Sequence, residues 1–170
     1  MQQAKDFELT VRPAHPGDAG QIAAIYNHYV MTSIITFEET EVAAPEMAHR
    51  IIEIQSTPLP WLAAVKDSRI VGFAYAGKWK VRAAYRFSTE ATVYVHPEVG
   101  RTGVGSELYG QLLAALKFRG VHSVIGGIAL PNDASVRLHE KFGFKKVAHF
   151  REVGFKSNRW IDVAYWQLNL

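Results

Sequence analysis

With 170 residues, 48% of them hydrophobic and 21% charged, the chain has the composition of one folded globular domain and not of a disordered segment. A net charge of +3 and a pI near 9.2 suit an anionic small molecule as well as nucleic acid. No apolar run reaches the ~18 residues of a membrane span, and the absence of cysteine excludes disulfide and thiolate chemistry.

In chain order, residues 7–14 (FELTVRPA) predict a first strand, and Pro16 stands where helices begin. Ile22, Ile25, Tyr26 and Tyr29 carry helical spacing to about Val30. The β-branched stretch 33–39 (SIITFEE) reads as extended chain lying over a site. Pro45 opens a second helix with Met47, Ile51 and Ile54 on one stripe. Residues 61–66 and 69–77, joined by Asp67 and Ser68, predict a hairpin, and 78–87 (KWKVRAAYRF) breaks the pattern.

Residues 89–97 predict a fourth strand stopped by Pro97. Val104, Leu108, Leu112 and Leu116 mark a third helix that ends at Gly120. The nearly continuous apolar run 121–130 is a buried strand. A fourth helix covers 132–142, capped by Asn132 or Asp133 and closed by Gly143, and two strands follow around 144–156 and 160–169. The order βααβββαβαββ implies an α/β protein, a mixed sheet with helices on both faces, and nothing along residues 1–170 suggests a domain boundary.

The loop 100–106 (GRTGVGS) feeds a helix directly. Small residues let several main-chain N–H groups converge, and a helix N-terminus adds positive potential, so the loop suits a phosphate. It has neither the lysine of a P-loop nor the third glycine of a dinucleotide fingerprint, and the alternative is a tight turn with no ligand. Arg101 adds a cation. The histidines at 15, 28, 49, 96, 122 and 149 show no ligand spacing, so no metal site is expected.

The Gly-x-Gly loop after Val93, Tyr94 and Val95, together with the later run from Asn132 through Ser135 to residues 138–144 (LHEKFGF), resembles the GCN5-related N-acetyltransferases (GNAT). Residues 27–37, 74–95, 129–144 and 153–168 look like the branch of that family that acetylates phosphinothricin, methionine sulfone and methionine sulfoximine. The resemblance spans nearly the whole chain. It implies a mostly antiparallel sheet of about seven strands, acetyl-CoA as cosubstrate without a metal, and a homodimer that engages neither nucleic acid nor membrane. The opening residues 1–6 carry no apolar signal core, so a cytoplasmic location is expected. Gly100 stands where the family usually has glutamine or arginine, which keeps the loop geometry but removes one side chain.

Several roles follow from the resemblance. The pyrophosphate would lie on Arg101, Thr102, Gly103, Val104, Gly105 and Ser106, and Asn132 would also reach the cofactor. The main chain of Val93, Tyr94 and Val95 would hold the pantetheine arm as an edge strand holds a peptide. Glu90, flanked by uncharged Thr89, Ala91, Thr92 and Val93, would be the general base, directly or through water, with burial raising its pKa; the alternative is a solvated strand-end glutamate.

His139 shares a helix face with Asn132 and Ser135 and replaces the tyrosine thought to protonate the thiolate in many relatives; it is either that acid, a second base, or a packing residue. Substrate contacts are expected from Phe37, Trp79, Lys80, Arg82, Tyr85, Glu90, Ala91 and Thr92, with the cations clamping a carboxylate. Basic residues alternating with aromatics also suit single-stranded nucleic acid. Trp160, Tyr165 and Trp166 supply either a dimer interface or core.

Glu38 stands where phosphinothricin-specific relatives tend to carry arginine. Facing the site it would repel a phosphinate; pointing to solvent it would not. Two other functions stay open: acetylation of a different amine (a protein N-terminus or a polyamine) and a non-catalytic acyl-CoA-binding module.

Overall fold

A computed structural model describes residues 9–170 of the chain, so the first two residues of the expected opening strand, 7 and 8, lie outside the described residues. The strands are β1 (Thr10–Pro13), β2 (Trp61–Lys66), β3 (Arg69–Lys78), β4 (Ser88–Val95), β5 (Ser123–Ala129), β6 (Lys145–Lys156) and β7 (Arg159–Asn169). The helices are α1 (Ala19–Thr32), α2 (Ala44–Gln55), α3 (Val104–Phe118) and α4 (Asp133–Lys141). Their order along the chain is the expected βααβββαβαββ.

Local chemistry explains the boundaries. Asp67 and Ser68 both take positive φ, 52° and 61°, the backbone that a two-residue hairpin between right-twisted strands requires. The Oδ1 of Asn132 accepts from the Ser135 N–H at 3.1 Å and caps α4, and Gly143 at φ +86° closes it. The first helix does not start at Pro16. Residues Pro16–Asp18 form a separate 3-10 turn, because the Asp18 carboxylate is held by the Arg12 guanidinium (2.7 Å) and accepts from the His15 N–H (2.8 Å). Residues 33–39 join no strand; their polar groups bond to side chains and to the end of α1 instead.

The sheet order is β1-β2-β3-β4-β5-β7-β6, antiparallel except between β4 and β5. Both faces are covered over β2 and β3. Trp61 and Ala63 pack beneath α1 and α2 with Ile22, Ile51 and Phe73, while Leu62 and Ala64 pack with Leu108 and Leu112 of α3. Ile22, Ile51, Leu108, Leu112 and Leu116 are fully buried, each contributing roughly 1.5–3 kcal/mol of hydrophobic stabilisation.

The parallel pairing of β4 with β5 is short. It joins Ser88 to Ser123, Thr89 to Val124 and Glu90 to Ile125, and then stops. From Ala91 onward β4 follows β3 alone, and the sheet opens into a cleft whose apex is Glu90.

Candidate active site

Two cavities meet at that apex. The larger, of about 550 Å³, runs between the parted ends of β4 and β5 to the start of α3 and is walled on its far side by α4. Glu90 and the β4 residues Ala91 to Val95 form one wall, and Gly127, Ile128 and Ala129 the other. The second, of about 480 Å³, lies between the 33–39 segment and the β6–β7 hairpin, lined by Ile35, Phe37, Phe150, Val153, Val163 and Tyr165. Ile35, Glu90, Gly127 and Ala129 line both cavities, and Glu90 is the only carboxylate lining either among the described residues.

Alternation along β4 points Glu90 away from the α3 side, where Ala91 is buried. Gly127, the second residue after its partner Ile125, supplies the room: a β-carbon there would stand 3.0 Å from Glu90 Oε1. Burial raises the Glu90 pKa above the ordinary carboxylate value, partly opposed by the positive charge of Lys80.

At the far end of the larger cavity, Gly103 takes φ +92° immediately before α3, a backbone that favours glycine. The first helical donor is the Glu107 N–H, which bonds the Gly103 carbonyl at 3.0 Å. The N–H groups of Val104, Gly105 and Ser106 therefore have no helical partner. Arg101, Gly103, Gly105 and Ser106 line the cavity, and the Lys141 ammonium donates to Ser106 Oγ at 2.9 Å. Such a convergence of N–H groups and cations fits a diphosphate. Thr102 and Val104 turn their side chains elsewhere. Thr102 Oγ1 donates to the Val99 carbonyl at 2.7 Å, and Val104 is buried in the core, so neither side chain lines the cavity.

His139 reaches the cavity wall but not as an available acid. It is 4% exposed, its Nδ1 donates to the Ser135 carbonyl at 2.8 Å, and its ring lies edge-on to Tyr109 and Phe144. In the neutral ring, a proton committed to a carbonyl leaves Nε2 unprotonated, and among the described residues that nitrogen is buried without a partner against Gly126. Burial also lowers its pKa, so the neutral ring is favoured. Of the three roles open to His139 (thiolate acid, second base or packing residue), this arrangement favours packing.

The basic segment after β3 is brought to neither cavity. Arg82 leads into the short turn Ala83–Tyr85, with Arg82 and Tyr85 both exposed. Trp79 packs edge-on against Tyr165 at 5.6 Å, and Lys80 lies over the Trp79 ring at 4.8 Å. Of the expected substrate contacts, Phe37 lines the second cavity, Ala91 and Thr92 line the first, and Glu90 lines both. Glu38 lines neither cavity and is half-buried at the surface. It pairs with Arg50 at 2.6 Å and accepts from the Tyr26 hydroxyl at 3.0 Å.

Several contributors escaped the sequence reading, among them four that act through distant parts of the chain. Tyr29 donates to the Val95 carbonyl, Lys141 reaches Ser106, and Phe150 and Val163 face the second cavity. None has a local signal, since each meets its partner across a large separation in sequence.

The chain matches the acetyltransferase (GNAT) domain family over residues 11–165. It is 41% identical over 159 residues to a phosphinothricin N-acetyltransferase of Streptomyces viridochromogenes, covering 94% of this chain and 86% of that one. It is 32% identical to an L-methionine sulfoximine/L-methionine sulfone acetyltransferase of Salmonella typhimurium, covering 95% of each. Among solved structures, a GNAT superfamily phosphinothricin acetyltransferase from Sinorhizobium meliloti in complex with AcCoA superposes with a TM-score of 0.92 at 32% identity, covering 95% of this chain and 88% of that one.

Proposed function

The chain belongs to the GNAT acetyltransferase family, and from that premise we propose that it moves the acetyl group of acetyl-CoA to the α-amino group of a small amino-acid-like acceptor of the phosphinothricin, methionine sulfone or methionine sulfoximine type. The observation that carries this reading is the position of Glu90, a partly buried carboxylate with raised pKa at the junction of two cavities.

Bound acetyl-CoA would supply the activated thioester carbonyl. In this reading Arg101, Lys141, Gly103 and the free N–H groups of Val104, Gly105 and Ser106 hold its diphosphate. The main chain of β4 beyond Glu90, with no β5 strand beside it, hydrogen-bonds the pantetheine arm and offers an N–H to the carbonyl oxygen. Glu90 takes a proton from the acceptor ammonium, directly or through water; the amine then forms the N–C bond as the C–S bond breaks, and the second proton shed by the nitrogen balances the departing coenzyme A thiolate, which leaves as the thiol. The second cavity takes the acceptor side chain. Its apolar walls (Ile35, Phe37, Phe150, Val153, Val163) favour a neutral, methionine-like side chain over an anionic phosphinate. Lys80 lines neither cavity, so its part is the field it exerts on Glu90 and not a contact with the acceptor.

We further propose a homodimer. Among the described residues strand β6 is a sheet edge with no further strand beside it, and Phe155 and Trp160 on its hairpin are each at least 51% exposed. Light scattering should return twice the chain mass.

Thiol release from acetyl-CoA tests the activity over a panel of phosphinothricin, methionine sulfone, methionine sulfoximine, a peptide with a free N-terminus and a polyamine. Turnover confined to the amino-acid acceptors is expected. Turnover of only the peptide or polyamine, or of nothing, rejects the proposal.

A further inference from the structure

Lys156, at the end of β6, is 5% exposed, and among the described residues no carboxylate lies within ion-pair distance of it. Its ammonium donates instead to two main-chain carbonyls, Val30 and Thr36, each at 2.8 Å. Val30 lies in the last turn of α1, where carbonyls have no helical donor and the helix end is electronegative. Thr36 belongs to the 33–39 segment, is itself 8% exposed, and shares a 2.7 Å hydrogen bond between its hydroxyl and that of Tyr26. One side chain thus ties a strand, a helix end and a connecting segment together.

Burying an ammonium is costly, and the two carbonyls offset that cost only in part. Burial holds the Lys156 ammonium below its ordinary pKa, with Glu39 and Glu38 opposing the shift. A methionine of similar length would fill this space without a charge to desolvate, so packing does not explain the lysine. What it fixes does. Thr36 lies between Ile35, which lines both cavities, and Phe37, which lines the second. The Phe37 ring in turn lies flush on Gly154, two residues before Lys156, where a β-carbon would overlap it.

We infer that Lys156 is a positioning residue for the acceptor: it fixes the 33–39 segment through the Thr36 carbonyl and so sets Ile35 and Phe37 as walls of the acceptor pocket. The inference rests on the reading of the Phe37-lined cavity as that pocket. It assigns Lys156 no contact with either substrate.

The test is Lys156→Met, assayed with methionine sulfone, with acetyl-CoA affinity measured by calorimetry. Misplaced binding walls should raise the acceptor KM by about tenfold or more while kcat stays within about threefold and the acetyl-CoA Kd within about twofold. If Lys156 acts through Phe37, adding Lys156→Met to Phe37→Ala should raise KM by no more than about threefold beyond Phe37→Ala alone. An equal loss of acetyl-CoA affinity, or fully multiplicative KM effects, overturns the inference.

Should Lys156→Met fail to fold by circular dichroism, Gly154→Ala takes its place. It displaces Phe37 without touching the lysine, and an unchanged acceptor KM there is equally fatal. A Phe37→Ala variant with wild-type KM rejects the acceptor-pocket reading itself. A large Phe37→Ala effect beside a silent Lys156→Met rejects only the role of Lys156.

Discussion

The carboxylate of Glu90 and the α-carbon of Gly127 face each other where β4 and β5 part, so close that a β-carbon on Gly127 would stand 3.0 Å from Oε1. The same β-carbon would stand 3.0 Å from Cε1 of Tyr165. Gly127→Ala therefore presses on the floor shared by both cavities. With Glu90 as the proposed base, displacing it by a few tenths of an ångström should lower kcat/KM for the acceptor by about tenfold, with acetyl-CoA Kd within about twofold. Steady-state kinetics with calorimetry decides it; a fully active alanine variant means that Glu90 and Tyr165 yield without consequence.

Glu90→Gln separates stability from activity. The carboxylate pKa is raised in the folded chain, so its charge is harder to carry folded than unfolded. That penalty is absent below the ordinary glutamate pKa and complete above the raised one. The glutamine variant should thus melt higher than wild type at neutral pH, and the gap should close as the pH falls below about 4. Its kcat at neutral pH should drop by about 10²–10⁴-fold, and the acid limb of the wild-type kcat/KM profile should lie above the usual glutamate range. A rate loss under about threefold would remove general-base catalysis by Glu90.

His139 titrates in the opposite sense. Its folded pKa is lowered by burial, so the unfolded chain takes up the proton first on acidification. Its contribution is present above the ordinary histidine pKa and is lost as the pH falls through that value towards the lowered one. Denaturant melts from neutral pH to about pH 5 should show this loss in wild type and a shallower slope in His139→Leu. The basic limb of the rate profile should be the same in both, because Nε2 holds no proton to donate. Movement of that limb restores the acid role.

The order of elements was legible because it depends on local pattern, whereas Glu90 stood out only through the family resemblance. Heptad-like stripes such as Val104, Leu108, Leu112 and Leu116 specify a helix wherever it packs, and a glycine before that helix announces its geometry. What stayed hidden depends on which distant segments meet. Proximity in sequence to Glu90 favoured residues 78–87 as the acceptor site, whereas the second cavity draws on Phe150, Val153 and Val163 of a hairpin at the other end of the chain. Spacing within the loop could not tell that the side chains of Thr102 and Val104 turn away while Gly103 and Gly105 face the cleft. Glu38 looked like an uncompensated charge because Arg50 becomes its neighbour only when the connecting segment folds back on α2.

That pairing alters the expected effect of Glu38 on substrate choice. Its charge is matched at 2.6 Å by Arg50, so little field remains to repel a phosphinate. Glu38→Gln should change the ratio of kcat/KM for phosphinothricin to that for methionine sulfone by less than about threefold and cost at most about 1 kcal/mol of stability, as for a half-exposed ion pair. Competition assays with both acceptors measure the ratio. A shift towards phosphinothricin above about tenfold would mean that the Glu38 charge does reach the acceptor.

The division of the walls has a consequence for descent. One cavity is built from β4, the start of α3 and α4; the other from residues 33–39 and the β6–β7 hairpin; only Ile35, Glu90, Gly127 and Ala129 belong to both. Substitutions at Phe37, Phe150, Val153 or Val163 alter one chamber and leave the α3 end of the other untouched. With the chambers assigned as proposed, a lineage carrying this fold can drift from one acceptor to another through those positions, under selection that never has to reinvent the grip on the acetyl donor. The four shared residues are where such drift meets resistance, because a change there is felt in both chambers at once.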